Sequence, residues 1–351
     1  MELSISKETL HFKKPARTSR GEYSLHEMYL ITLTDKATGN KGIGELAPLP
    51  DLSCDRNAYP DIQAVKELAE KALPSVLNGT WPEDMLSYPA LRFALESAVA
   101  EAKGQLSTLF AKLIKLKQVN FQFSTPKVSI PINGLVWMSS FEDMLEQVKA
   151  KMAIGFRCIK LKIGAIDWQK EIELIRYVRS CFPKEDLQLR VDANGAFSHE
   201  WAMDRLIELS KYGIHSIEQP IRQGQWDEMA RLCKESPLAI ALDEEMRGVN
   251  APKEKARLLD TIHPQYIVLK PTMHGGLSGT REWIELANKR GINSWITSAL
   301  ESNIGLRSIA LLAESVYGPN ITFPQGLGTG QLFPDNIENG VHIDGANLVV
   351  R

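Results

Sequence analysis

The stretch CIKLKIG, residues 158–164, sets two lysines one residue apart in an otherwise apolar run that reads as a β-strand. On a strand, Lys160 and Lys162 share one face, and Ile159, Leu161 and Ile163 share the other. A strand with one solvated face produces this pattern with no further meaning. In a barrel of parallel strands, helices cover the isoleucine face, both ammonium groups turn inward, and they need counter-charges there. The neighbouring segments decide between the two readings.

From about residue 128 onward, short apolar runs alternate with helical segments. The runs are VSIPINGLVW, FRCIKLKIG, LQLRVDAN, IHSIEQP, LAIALDEEM, YIVLKPTM, INSWITSAL and NITFPQGL. Eight strands separated by seven helices specify an α/β barrel over residues 126–327, a modified (β/α)7β TIM barrel whose eighth helix is missing or replaced. An open doubly wound sheet would carry a glycine-rich turn after its first strand, and PINGLVWMSSFED lacks G-x-G-x-x-G. Residues 1–125 read as strands followed by helices, DIQAVKELAEKAL and LRFALESAVAEAKGQL among them, which makes an α+β capping domain. The tail 328–351 has no helical period and is expected to run back onto that domain.

Composition excludes several classes of function. The 351 residues are 44% hydrophobic and carry a formal charge of −2, which gives no basic field for nucleic acid. No apolar run has the roughly 18 residues of a membrane span, and the first residues alternate like a strand and not like a signal peptide, so a cytoplasmic protein is expected. The four cysteines show no C-x-x-C spacing, against a disulfide framework or a zinc site. A small-molecule partner is the expectation.

Ionisable residues end the successive strands: Lys162, Asp192, Glu218, Asp243 and Lys270, followed by Ser298 and Glu301. In a barrel these ends converge on one mouth. An internal salt-bridge network would account for the three acids as well as a ligand site would. Without histidine or cysteine beside them, three carboxylates suit Mg²⁺ or Mn²⁺ better than zinc. Such an ion flanked by lysines suits removal of a proton next to a carboxylate, because positive charge stabilises the anion that develops. The basic lysine needs its pKa lowered, and burial, the metal and Lys160 all act in that direction on Lys162.

The motifs KLK, VDAN, IEQP, LDEE and VLKP on five successive strands, beneath an α+β cap, resemble the enolase superfamily and specifically its muconate-lactonising-enzyme-like branch. The combination carries the resemblance, since any single fragment recurs by chance. It implies that Asp192, Glu218 and Asp243 bind Mg²⁺, that Lys162 and Lys270 stand on opposite faces of the substrate, and that Lys160 assists Lys162. Arg190 and Asn194, on the inward face with Asp192, would support the ligands, and Glu244 would orient the site. Within the branch, GIGELAPLPDLS, TSALESNIG and GLGTGQLFPDN resemble members that dehydrate 2-succinyl-6-hydroxy-2,4-cyclohexadiene-1-carboxylate to 2-succinylbenzoate for menaquinone synthesis. Dipeptide epimerases of the branch carry an Asp-x-Asp pair where this chain has PQGLGTG.

In that reaction Lys162 would take the proton and return it to the departing hydroxide, and Lys270 would stabilise the developing charge. Ser298, Glu301 and Ser302 are candidates for substrate binding, although hydroxyl residues at strand ends also serve as helix caps. Lys13, Lys14, Arg17 and Arg20, in the loop KKPARTSRGEYS, would steer a dicarboxylate substrate, or simply belong to a solvated hairpin tip. Racemases of N-succinylamino acids and lactone isomerases share the same site. A non-catalytic binding protein on this fold would be expected to have lost at least one of these costly buried charges.

Overall fold

In the computed structural model, which describes residues 1–17, 22–104 and 128–351, the chain opens with an antiparallel sheet. Its strands β1 (Glu2–Arg17), β2 (Glu22–Thr34) and β3 (Lys41–Leu46) lie in the order β1-β2-β3. Tyr29, Ile31, Leu33 and Leu46 form one buried face, and helices α1 (Ile62–Leu77) and α2 (Pro89–Ala102) pack against it. The α2 backbone lies directly on β3. A Cβ at Gly42 or Gly44 would fall 2.0 or 1.8 Å from the carbonyl oxygens of Ala98 and Ala94, so only glycine fits there.

The barrel follows. After β4 (Val128–Pro131), strands β5 (Gly134–Val136), β6 (Cys158–Lys162), β7 (Gln188–Asp192), β8 (Ser216–Glu218), β9 (Ile240–Leu242), β10 (Tyr266–Leu269) and β11 (Asn293–Ile296) form a parallel sheet in sequence order. Between them run α3 (Phe141–Ile154), α4 (Trp168–Cys181), α5 (His199–Ser210), α6 (Trp226–Glu235), α7 (Pro252–Ile262) and α8 (Gly276–Asn288), and α9 (Asn303–Tyr317) follows β11. Ile159, Leu161 and Ile163 join the apolar cluster between sheet and helices, so Lys160 and Lys162 face the interior.

The eighth strand is reduced to residues 325 and 326. They bridge Ile132 on one edge of the sheet and Thr297 on the other. The Gln325 N–H donates to the Pro131 carbonyl at 2.8 Å, and the Gly326 N–H donates to that of Ile296 at 2.8 Å. This closes the curled sheet into a TIM barrel.

The tail divides between two destinations. Phe333 packs against Phe12 at 4.6 Å between ring centroids, and Asp335 accepts the His11 N–H at 3.1 Å, so this stretch reaches the N-terminal sheet. Strands β12 (Val341–Asp344) and β13 (Asn347–Val350) go elsewhere, pairing antiparallel in the order β12-β13-β4. Val341, Leu348 and Val350 thereby enter the barrel's apolar cluster. The free edge of β4 offers an unpaired row of N–H and C=O groups, and the tail satisfies it. Among the described residues, no helix is long and apolar enough to cross a membrane.

Candidate active site

The parallel register sets Lys162 beside Asp192 and Asp192 beside Glu218, one level above the pair Lys160 and Arg190. Asp243 and Lys270 come directly after β9 and β10. Lys160, Lys162, Asp192, Glu218, Asp243 and Lys270 surround a cavity of ≈ 390 Å³ at the mouth of the barrel, to which the N-terminal part contributes Leu49 and Leu52. β6 and β10 are four strands apart in a ring of eight, so Lys162 and Lys270 approach the cavity from opposite walls.

The charges are densely paired. Lys160 Nζ donates to both Glu218 oxygens at 2.9 Å and lies 2.8 Å from Asp192 Oδ2. Lys162 Nζ donates to Asp192 Oδ2 at 3.0 Å and to Asn194 Oδ1 at 2.6 Å. Asn194 in turn donates its side-chain amide to Glu244 Oε1 at 3.0 Å. It does so from φ 45°, a left-handed conformation that asparagine tolerates and that folds it back over the strand end. Lys270 Nζ is paired with Asp243 Oδ2. Its backbone N–H donates to His274 Nδ1 at 3.0 Å, which leaves the ring proton on Nε2. Burial pushes His274 down to about 3, so the ring is neutral.

The pKa values follow from this crowding. Burial works against the Lys160 charge, but Asp192 and Glu218 outweigh it and hold the ammonium above the usual lysine range. For Asp192 burial is likewise outweighed, by Lys160 and Lys162, and the carboxyl sits well below its ordinary range. Burial, and then the charge of Asp192, lift Glu218 to about 8.

Among the described residues, no group of three His, Cys, Asp or Glu side chains stands ready to hold a metal ion. The lysines account for this, since each carboxylate leans on an ammonium group. The donor set nevertheless fits a hard divalent cation. Asp243 Oδ1 and Glu244 Oε2 are buried without a hydrogen-bond partner, and the three acids supply oxygen ligands only.

The remaining candidates divide. Ser298 lines the cavity, but its hydroxyl donates to the Gly326 carbonyl at 3.0 Å and meets Thr329 Oγ1 at 2.7 Å. Arg190 stands one layer lower, its guanidinium 4.4 Å from the ring centroids of both Trp295 and Phe323, and supports the barrel floor. Glu301 and Ser302 stand behind the cavity wall. Glu301 accepts the Thr272 hydroxyl at 2.7 Å and the Ala299 N–H at 2.5 Å, and Ser302 donates its hydroxyl to Glu45 at 2.5 Å. Between them and the cavity, Leu300 is held at φ 68°, a conformation that costs a residue such as leucine about 1–3 kcal/mol. Lys13 and Lys14 are exposed on β1, while Arg20 and the side chain of Arg17 lie outside the described residues.

Sequence periodicity gave no sign of Leu49, Leu52 and Trp137, which line the cavity from loops, or of Thr329, which lines it from a single turn of 3-10 helix, Thr329–Leu332. Loops carry no period, and these residues arrive there through tertiary packing.

Residues 143–342 match the family described as Enolase C-terminal domain-like. The chain is 43% identical to the o-succinylbenzoate synthase of Desulfotalea psychrophila, with 100% of this chain and 99% of the relative covered. The o-succinylbenzoate synthase of Listeria innocua is 29% identical, over 91% of this chain and 82% of the relative. The crystal structure of MenC from Desulfotalea psychrophila superposes with a TM-score of 0.77 at 39% identity, covering 99% of each chain. The muconate lactonizing enzyme from Pseudomonas putida shares the fold, with a TM-score of 0.76 at 18% identity over 99% of this chain and 93% of that one. A parallel barrel closed by residues 325 and 326, with acids and lysines at its strand ends and these full-length likenesses, identifies the chain as a member of the enolase superfamily.

Proposed function

We propose that this chain is an o-succinylbenzoate synthase, a hydro-lyase that removes water from 2-succinyl-6-hydroxy-2,4-cyclohexadiene-1-carboxylate and releases 2-succinylbenzoate. The observation that carries this reading is the likeness to an o-succinylbenzoate synthase along the whole chain, at 43% identity. We place the reaction in cytoplasmic menaquinone synthesis. Residues 1–125 act as the cap over a barrel of residues 126–327.

Asp192, Glu218 and Asp243 would hold Mg²⁺, or Mn²⁺ in its place, which when bound supplies positive charge to the substrate carboxylate. Lys162 takes the proton α to that carboxylate. The C–H electron pair forms the new ring double bond as the C–O bond breaks, and Lys162 returns its proton to the departing hydroxide, so that one water leaves. A syn elimination needs a single base because both transfers occur on one face. Asn194 and Asp192 hold the Lys162 Nζ and aim it at that face. Lys160, clasped by two carboxylates, is a fixed counter-charge that lets Asp192 and Glu218 lie side by side. Lys270 stabilises the developing negative charge from the opposite wall. Glu244 orients the site through Asn194. Leu49 and Leu52 close the mouth and exclude water.

Following the absorbance of the cyclohexadiene substrate with Mg²⁺, and again with chelator, tests this reading. Turnover that the chelator abolishes is expected; absence of turnover with metal, or full turnover without it, overturns the reading. Faster racemisation of an N-succinylamino acid than dehydration would make a racemase the better description. Replacing Arg17 and Arg20 together is expected to lower kcat/KM more at low than at high salt, as steering requires.

A further inference from the structure

Four lysines line the cavity: Lys151, Lys160, Lys162 and Lys270. Three of them are paired with carboxylates of the same cavity. Lys151 has no carboxylate partner among the described residues. It stands in the last turn of α3 and lines the cavity together with Gln147, one turn earlier on the same helix.

Gly134 makes room for it. A Cβ there would lie 3.1 to 3.2 Å from the Lys151 Cβ, Cγ and Cδ, so a side chain at residue 134 would press on the lysine stem. The ammonium lies 5.2 Å from the centroid of the Phe156 ring, which also lines the cavity. Gln147, one turn earlier on α3, secures the neighbouring wall by bonding the Trp137 N–H at 2.9 Å and the Trp137 carbonyl at 3.2 Å. Lys151 is half-buried, and burial alone lowers its pKa, the signature of a cation without a counter-charge.

The substrate of the proposed reaction carries two carboxylates. The ring carboxylate belongs with the acids and lysines at the strand ends. For the succinyl carboxylate, Lys151 is the cavity lysine without a carboxylate partner among the described residues, and the Ser298 hydroxyl is already bonded to Gly326 and Thr329. We propose that Lys151 binds the distal carboxylate of the succinyl chain, with Leu135, Trp137 and Phe156 covering its methylene groups. The assignment rests on the dehydratase reading above, and it makes Lys151 the residue that selects a dicarboxylate over a monocarboxylate.

The test is calorimetric binding of 2-succinylbenzoate and of 2-butanoylbenzoate, which lacks the distal carboxylate, to the Mg²⁺-loaded protein and to its Lys151→Met and Lys151→Arg variants. Methionine preserves the apolar stem, and Lys151→Gln serves as a second neutral variant if Lys151→Met does not fold. The unaltered protein is expected to favour the succinyl compound by about 10- to 100-fold, the range of a charge-assisted hydrogen bond. The neutral variants lose that preference, with KM raised by a similar factor and kcat nearly unchanged, and Lys151→Arg keeps part of it. A neutral variant that retains the full preference overturns the assignment. If the unaltered protein binds neither compound, the dehydratase reading itself falls.

Discussion

Two regions of this molecule bury carboxylates, and they satisfy them in different ways. In the barrel mouth Asp192, Glu218 and Asp243 face the ammonium groups of Lys160, Lys162 and Lys270. At the junction of cap and barrel, Glu45 on β3 is fully buried and accepts the Ser302 N–H at 2.9 Å, the Gly305 N–H at 2.8 Å and the Ser302 hydroxyl, with His26 Nε2 at 3.4 Å. Its neighbour Glu301 takes a hydroxyl and a backbone N–H. The partners in the barrel are the tips of flexible side chains, which can move aside for an incoming ion or substrate. Those at the junction include the backbone N–H groups of Ser302 and Gly305 at the start of α9 and of Ala299 just before it, which cannot. The barrel arrangement suits chemistry, and the junction suits docking of the cap and shaping of the wall that carries Ser298 and Leu300.

The largest effect that would sharpen this contrast is on rate. Lys162→Ala is expected to slow dehydration by roughly 10²- to 10⁴-fold, the range for a lost general base. Lys162→Arg is expected to be as slow, because a guanidinium holds its proton near neutral pH, while Lys270→Arg retains measurable turnover. Rates of dehydration and of deuterium uptake by an N-succinylamino acid check this. Equal loss of dehydration in the two arginine variants would contradict the single-base mechanism.

Next comes stability at the same centre. Asp192→Asn leaves Lys160 and Lys162 close together without their shared carboxylate, and is expected to cost about 3–5 kcal/mol in denaturant unfolding of the metal-free protein. Reading the acids as mutually repelling in the metal-free protein leads to the opposite expectation, a gain in stability. An unchanged or raised stability would show that the lysine pairs are weak.

At the junction, Glu45→Gln places an amide where the α9 N–H groups need an acceptor, and a loss of about 1–3 kcal/mol follows. Because Glu45 acts through the wall of the cavity, KM is expected to rise more than kcat falls. A variant with unaltered KM would make the junction purely structural.

The junction also predicts a pH dependence. Burial, and then Glu45, lift Glu301 to about 7 from the ordinary 4.5. The folded protein therefore holds this proton more tightly than the unfolded chain does. The contribution to stability is fully present below about pH 4.5, is lost as pH rises towards about 7, and amounts to about 3 kcal/mol at most. Glu301→Gln is expected to flatten Tm against pH across this window; an equally sloped profile would refute the assignment. The smallest effect is that of Ser302→Ala, which removes the N-cap of α9 and is expected to cost about 1 kcal/mol in unfolding without changing kcat.

The strand-end residues were legible in the sequence because a strand has a period of two and a βα unit has a nearly constant length. Those regularities specified the barrel and which side chains of CIKLKIG and LQLRVDAN look inward. The same period set Arg190 on the inward face with Asp192, but it says nothing of depth. Only the folded barrel shows Arg190 one layer down against Trp295 and Phe323. Glu301 and Ser302 look in sequence like mouth residues, and it is the packing of Glu45 from a distant strand that turns them away from the cavity. The tail's pairing with β4, and Lys151 lying over Gly134, likewise depend on which surfaces meet. Periodicity within one element determines the face a residue occupies; what stands opposite that face is set by other elements, whose distance in sequence carries no regular signal.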